Sequence, residues 1–347
     1  INPGLDKSDF KIVYSPQHGA DNIPVRTCLK RLGYDIVPVL AQCAPDPDYT
    51  NTKSPNPEVD ASYELAIKLA KEVDADVVAI TDPDGDRLGV VAKHNGEYVL
   101  MSGNQSAAVY LEYILSQRKE KGTLPDNAVM YNTIVTSDLG ELVARNYGVD
   151  VEKTLTGFKF IGDKIRKYEK THEKQFIFGY EESYGCVVED FVRDKDAVQA
   201  VLLAAECGNY YKKQGKDLID VLNELYAKYG TFKESQIALA KAGAAGAARI
   251  KEMMDTLRQD KPTEIGGVKV VLSEDYATSE RSDGTTIDLP KSNVLKYYLE
   301  DGSWIAARPS GTEPKCKFYF SIKGKDAKDA ADKTEVFHKA MMELIGE

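Results

Sequence analysis

Three aspartates, Asp82, Asp84 and Asp86, stand at alternate positions in the stretch TDPDGDR, Thr81 to Arg87. Pro83 and Gly85 between them disfavour a helix and favour a tight turn. A turn of that shape aims three carboxylates at one centre, where they repel one another unless a cation lies among them. Hard oxygen donors suit Mg²⁺, which also readily shares a substrate phosphate. An EF-hand needs Gly at loop position six and an acid at position twelve. Counted from Asp82 these are Arg87 and Lys93, so an EF-hand is excluded. The alternative to a metal loop is a solvated acidic turn.

A second stretch, RPSGTEPK (Arg308 to Lys315), reads as a turn between two strands. Ser310, Gly311 and Thr312 can present successive backbone N–H groups and two hydroxyls. Arg308 adds a forked donor, and Lys315 or Lys317 a point charge. Together these suit a phosphate group, unless the segment is a plain polar hairpin turn. In GYEESYG (Gly179 to Gly185), Glu181 and Glu182 beside Ser183 can accept hydrogen bonds from adjacent sugar hydroxyls, or be merely solvated. In TGFKFIG (Thr156 to Gly162), Lys159 either binds phosphate or snorkels to solvent. FVRDKD (Phe191 to Asp196) reads as a charged loop with Asp196 as the N-cap of the next helix. Of the four histidines, His18 alone stands in a post-strand loop of this kind, SPQHGA, and no two have metal-ligand spacing.

The elements that position these loops alternate strand and helix. Strands are expected at Phe10 to Tyr14, Ile36 to Leu40, Val77 to Ile80 and Leu88 to Ala92, with helices at Val25 to Leu32 and Val59 to Val73. The pattern restarts with helices at Gln105 to Arg118, Asp138 to Tyr147, Ala197 to Lys212 and Leu218 to Tyr229, and strands at Ala128 to Ile134 and Gln175 to Gly179. The segment from Gly230 to Gly246 reads as a mobile crossover. Beyond it lie a helix near Ala247 to Arg258, strands at Lys269 to Leu272, Val294 to Leu299, Trp304 to Ala307 and Lys315 to Ile322, and a final helix from Asp326. The fold class is therefore α/β. Two three-layer α/β/α domains with mixed sheets, 1–100 and 101–229, precede a C-terminal α+β domain, 230–347, with an antiparallel sheet. In open α/β sheets ligands bind beyond the carboxyl ends of the strands.

Bulk properties narrow the function classes. The 347 residues carry a net charge of −10, which argues against nucleic acid as a partner. Any anion site must then be a local concentration of Arg, Lys and N–H groups. No apolar run of about 18 residues occurs, so a membrane span is not expected. The five cysteines are odd in number, widely spaced and form no CxxC, which suits a reducing, cytoplasmic setting. Oligomeric state is not set by the sequence.

The four loops, in this order, resemble the α-D-phosphohexomutase superfamily, in its phosphoglucomutase/phosphomannomutase group. DPDGDR is similar to the family's magnesium loop, GYEESYG to its sugar-recognition loop, RPSGTEPK to its phosphate-binding loop and TGFKFIG to a third-domain segment whose Lys helps hold substrate. VYSPQHGA and SPNPE resemble second-domain loops. The resemblance implies four domains around a cleft, the first bearing a phosphoserine in a motif like TASHNP. No such motif occurs in these 347 residues. Ser54, in KSPNPE, matches the second-domain segment and is rejected as nucleophile, and Ser310 belongs to the phosphate loop. The chain is thus expected to be domains II to IV, without the nucleophile and inactive alone.

The implied activity is interconversion of glucose 1-phosphate and glucose 6-phosphate through glucose 1,6-bisphosphate, with Mg²⁺ on Asp82, Asp84 and Asp86 and Arg87 beside the reaction centre. Glu181, Ser183 and Lys159 would bind the sugar. Arg308, Ser310, Gly311, Thr312 and Lys317 would bind phosphate. Phosphomannomutase, phosphopentomutase and a non-catalytic sugar-phosphate binder are the alternatives.

Overall fold

The computed structural model describes residues 1–311 and 313–347. The chain divides into two compact units, Ile1–Leu225 and Tyr226–Glu347. In chain order the first contains β1 (Lys11–Ser15), α1 (Asn22–Arg31), β2 (Asp35–Pro38), α2 (Glu64–Val73), β3 (Val77–Thr81), β4 (Leu88–His94) and β5 (Glu97–Met101). Next come α3 (Gly103–Glu120), β6 (Ala128–Thr133), α4 (Asp138–Asn146), β7 (Asp150–Thr154), α5 (Lys159–Thr171), β8 (Gln175–Tyr180), β9 (Cys186–Val187), α6 (Ala197–Lys212) and α7 (Leu218–Tyr229), which ends just past the division.

One sheet has the order β2-β1-β3-β4-β5 and another the order β7-β6-β8-β9. In the first, β1 runs parallel to β2 and β3, and β3-β4 and β4-β5 are antiparallel. In the second, β6 is parallel to β7 and β8, and β9 is antiparallel to β8. Both sheets are mixed. β3 is buried along its whole length, as a strand covered on both faces must be. On one face lies α2, whose Ala66 and Ala70 pack with Tyr63, Val13, Val78 and Ile80. On the other lies α6, whose Gly208 sits where a Cβ would meet the Phe10 ring at 2.9 Å and Val77 at 3.4 Å. α6 also contacts β9. A helix apolar nearly all round serves two sheets at once, and this binds both into one unit.

The second unit contains β10 (Thr231–Ala240), α8 (Gly243–Asp260), β11 (Glu264–Ile265), β12 (Val268–Asp275), β13 (Glu280–Arg281), β14 (Leu295–Leu299), β15 (Trp304–Pro309), β16 (Lys315–Gly324) and α9 (Ala327–Leu344). Its sheet runs β10-β16-β15-β14-β12-β11, antiparallel throughout. Phe318 and Phe320 of β16 bury against Met253 and Leu257 of α8 and Phe337 and Met341 of α9. Each such side chain contributes about 1.5–3 kcal/mol.

The fold class is as the sequence implies, although β5, β7 and α5 were not expected and one segment is corrected. The segment read as a mobile crossover contains β10, paired over ten residues with β16. β10 is the edge strand of the sheet and few of its residues are buried, so the apolar signal is weak.

Candidate functional site

β3 carries the chain out of the core to Thr81, and Asp82 follows, 2% exposed. Asp82 Oδ1 accepts the N–H groups of Asp86 (3.0 Å) and Arg87 (2.9 Å). Gly85 N–H donates to the Asp82 carbonyl at 3.1 Å. Gly85 lies at φ +75°, a left-handed backbone that glycine adopts without steric cost. The loop thus closes on its own first residue. One carboxylate oxygen from each of Asp82, Asp84 and Asp86 lies within 4.8 Å of the other two.

Burial among acids costs Asp82 free energy, and Arg87 offsets part of that cost. Burial pushes the Asp82 carboxyl up to about 7, with Asp86 and Asp84 adding to the rise and the Arg87 backbone donor opposing it. Arg87 Nε lies 3.0 Å from Asp82 Oδ2 and 3.5 Å from Asp86 Oδ1. Those contacts are ion pairs without hydrogen-bond alignment, since both buried oxygens lack a hydrogen-bond partner. Buried carboxylate oxygens with no aligned hydrogen-bond donor, converging with a third acid, fit a hard divalent cation. Arg87 is held from the other side by the SPNPE segment, with Nη1 3.2 Å from Glu58 Oε1 and 3.4 Å from Asn56 Oδ1. The sequence reading assigns those two residues no role.

The EES turn begins where β8 ends. Glu181 N–H donates to the Gly185 carbonyl at 2.9 Å, and Tyr184 takes φ +72° to close the turn. Glu181 Oε1 accepts the Gly157 N–H at 2.8 Å, which ties the turn to the TGFK segment. Glu182 turns its carboxylate to different partners from those of Glu181. Its Oε2 faces inward to the hydroxyls of Thr133 (3.2 Å) and Thr136 (3.4 Å). Burial, with Glu181 close by, pushes the Glu182 carboxyl up to about 7, and burial also lifts Glu181. Ser183 is half-buried. Lys159 is the exposed first residue of α5, with Nζ 5.0 Å from the Phe160 ring centre. A cation in the first helical turn opposes the helix dipole, a misfit that an anionic ligand would relieve.

Lys195 is the site residue that sequence reasoning passes over. Its Nζ lies 2.7 Å from Asp86 Oδ2 and 5.7 Å from the Phe158 ring centre. Its stem occupies the space beside Gly185, where a Cβ would meet Lys195 Cδ at 2.2 Å. It therefore touches the aspartate loop, the EES turn and the TGFK segment together. Asp196 caps α6 as expected, accepting from Gln199 N–H at 3.1 Å. Backbone bonds complete the assembly: Leu88 N–H donates to Tyr184 carbonyl at 2.9 Å, and Ala197 N–H to Gly85 carbonyl at 3.1 Å. His18 is anchored through Nδ1 to the Ala44 carbonyl at 2.7 Å. Beside it, Gly19 packs so closely on Pro83 that a Cβ would lie 2.5 Å from Pro83 Cα. That loop supports the aspartate loop.

In the second unit, the β15–β16 hairpin sets Arg308 directly opposite Lys317. Like charges facing across a strand pair repel, and a bound anion would relieve this. Arg308 Nη1 also donates to the Tyr319 hydroxyl at 3.4 Å. Ser310 N–H donates to the Lys315 carbonyl at 2.7 Å, and Ser310 Oγ accepts from Glu313 N–H at 3.3 Å. The Ser310 N–H thus closes the turn and is not one of three successive outward donors. Gly311 is exposed. Thr312 lies outside the described residues.

Models of the phosphoglucomutase/phosphomannomutase alpha/beta/alpha domain II, alpha/beta/alpha domain III and C-terminal domain match residues 4–96, 102–229 and 241–337. The chain belongs to the phosphoglucomutase/phosphomannomutase family. A phosphoglucomutase of Staphylococcus haemolyticus is 38% identical over 325 residues, 92% of this chain and 58% of the relative. The chain therefore spans less than two thirds of that relative. The pp63/parafusin phosphoglucomutase of Paramecium, in an open form, matches with TM-score 0.72 and 19% identity over 100% of this chain and 60% of that one. An Aspergillus fumigatus N-acetylphosphoglucosamine mutase in complex with glucose 1,6-bisphosphate matches with TM-score 0.53 and 14% identity, over 96% and 60%. These two likenesses concern the fold. No helix among the described residues is long and apolar enough to cross a membrane.

Proposed function

We propose that this family member supplies the cation-binding, sugar-reading and phosphate-gripping parts of a phosphoglucomutase, the interconversion of glucose 1-phosphate and glucose 6-phosphate through glucose 1,6-bisphosphate. The observation that carries the reading is the closed loop of Asp82, Asp84 and Asp86, whose carboxylates converge and whose backbone is bonded to the EES turn and the start of α6. The name of the Staphylococcus relative favours glucose over mannose or a pentose. The bisphosphate in the Aspergillus complex is a ligand of the same chemistry.

Asp82, Asp84 and Asp86 would hold Mg²⁺, which when bound neutralises charge on a phosphoryl group. Arg87, fixed by Glu58 and Asn56, presents its guanidinium at the same place for phosphoryl oxygens. Lys195 brings positive charge between the aspartate loop and the EES turn. Glu181 accepts, and Ser183 donates or accepts, hydrogen bonds from sugar hydroxyls. Lys159 helps hold the sugar, and Arg308, Ser310, Gly311, Thr312 and Lys317 serve phosphate. Neither Ser54 nor Ser310 acts as nucleophile, so binding is the property to measure on this chain.

The test uses the purified 347-residue chain, with Mn²⁺ followed by electron paramagnetic resonance and glucose 1,6-bisphosphate followed by calorimetry. We expect Mn²⁺ binding that Asp84→Ala abolishes. Bisphosphate binding should weaken about tenfold or more in Arg308→Ala, the loss of a charge-assisted pair. Glucose 1-phosphate should not be converted. A chain that binds neither probe, or binds both unchanged after these substitutions, refutes the reading.

A further inference from the structure

Asp21 stands at the N-cap of α1, where an aspartate ordinarily accepts a hydrogen bond from the helix's first N–H groups. Its side chain makes no such bond. It turns instead onto the aspartate loop: a Cβ placed on Gly85 would lie 2.5 Å from Asp21 Oδ1 and 2.8 Å from Oδ2. The carboxylate thus rests on the glycine between Asp84 and Asp86. Asp21 is 7% exposed, and its buried Oδ2 has no hydrogen-bond partner. The charged groups that act on it are Asp196, Asp84 and Asp86, all acids. The neighbouring backbone holds it there, since Ala20 N–H donates to the Pro83 carbonyl at 2.9 Å.

A helix cap has been forgone to bury an acid among acids. In the metal-free chain that arrangement costs free energy twice, through the lost cap and through an uncompensated buried carboxylate. Positive charge held by the adjacent loop would offset both. The three aspartates of the loop already supply converging oxygens, so Asp21 stands one layer behind them. We propose that Asp21 is an outer-sphere acid of the cation site, raising the affinity of the Asp82–Asp84–Asp86 loop for a divalent cation while propping Gly85. It is a positioning residue, and the proposal rests on reading that loop as a cation site.

The experiment compares the wild-type chain with Asp21→Asn, which keeps shape and removes charge, and Asp21→Ser, which removes the charge and shortens the side chain. All are titrated with Mn²⁺ by electron paramagnetic resonance at a pH well above the carboxyl range, and their thermal unfolding is measured in chelator. We expect both variants to bind Mn²⁺ about tenfold more weakly, the scale for groups behind metal ligands, and both to unfold at a higher temperature in chelator. Asp84→Ala, which removes a ligand, serves as control. If the wild type binds Mn²⁺ and Asp84→Ala does not, yet both Asp21 variants bind as tightly as wild type, the Asp21 proposal is overturned alone. If the wild type binds no Mn²⁺, the cation reading of the loop falls with it.

Discussion

Glu182→Gln tests the electrostatic cost of the EES turn. Glu182 is the middle residue of that turn, with its carboxyl inward against Thr133 and Thr136 and Glu181 and Glu58 as its charged neighbours. Its carboxyl ionises near 7 in the folded chain, against an ordinary 4.5. Between those two pH values the unfolded chain has released this proton and the folded chain retains it. Stability therefore falls as pH rises through the window. At about 1.36 kcal/mol per pH unit the contribution approaches 3 kcal/mol. Glutamine carries no proton to lose, so the variant should gain on wild type by up to about 3 kcal/mol between pH 4.5 and 7.

The assay must report on the first unit. The single tryptophan, Trp304, lies in the second. Hydrogen exchange at the Leu88 amide, which donates to the Tyr184 carbonyl of the turn, reports opening where it matters. A stability difference between wild type and Glu182→Gln that stays constant across the window would refute the reasoning, because it would mean the carboxyl titrates alike in both states.

Two further substitutions probe how the loops are joined. Lys195→Met keeps a stem of similar length beside Gly185 and removes the ammonium 2.7 Å from Asp86. With a competing cation gone, Mn²⁺ affinity should rise by about 1 kcal/mol, roughly fivefold, while glucose 1,6-bisphosphate binds more weakly; an unchanged Mn²⁺ titration would show that Lys195 is not coupled to the loop. Gly103→Ala places a Cβ 2.5 Å from the Glu182 carbonyl oxygen and 2.8 Å from Tyr184 N. Both are backbone atoms that cannot swing aside, so thermal unfolding should show a loss of about 1–3 kcal/mol, and wild-type stability would mean that α3 does not brace the turn.

Much of the architecture was legible because it rests on local rules. A buried apolar run followed by Asp-Pro-Asp-Gly-Asp has few conformations open to it. Pro83 fixes one φ, Gly85 takes a positive one, and the run before them is a strand. Most of the helices were equally plain from their apolar pattern, whereas α5 (Lys159–Thr171) was not expected, although Ile161, Ile165 and Tyr168 form its buried face. Short or exposed elements were not. β5 and β7 are half-exposed edge strands of their sheets, and the start of α5 at Lys159 follows a Thr-Gly-Phe segment that reads as loop.

Side-chain direction in loops is where the sequence stops. Asp21 carried no role in the sequence, Lys195 looked like one charge in a run, and Glu182 like the twin of Glu181. Their partners lie far away in the chain: Gly85 for Asp21, Asp86 for Lys195, Thr133 and Thr136 for Glu182. Composition and spacing determined which loops carry oxygens, cations and turns, because backbone conformation depends on near neighbours. Which charge is buried against which depends on desolvation by distant segments, and only the packed tertiary structure decides that.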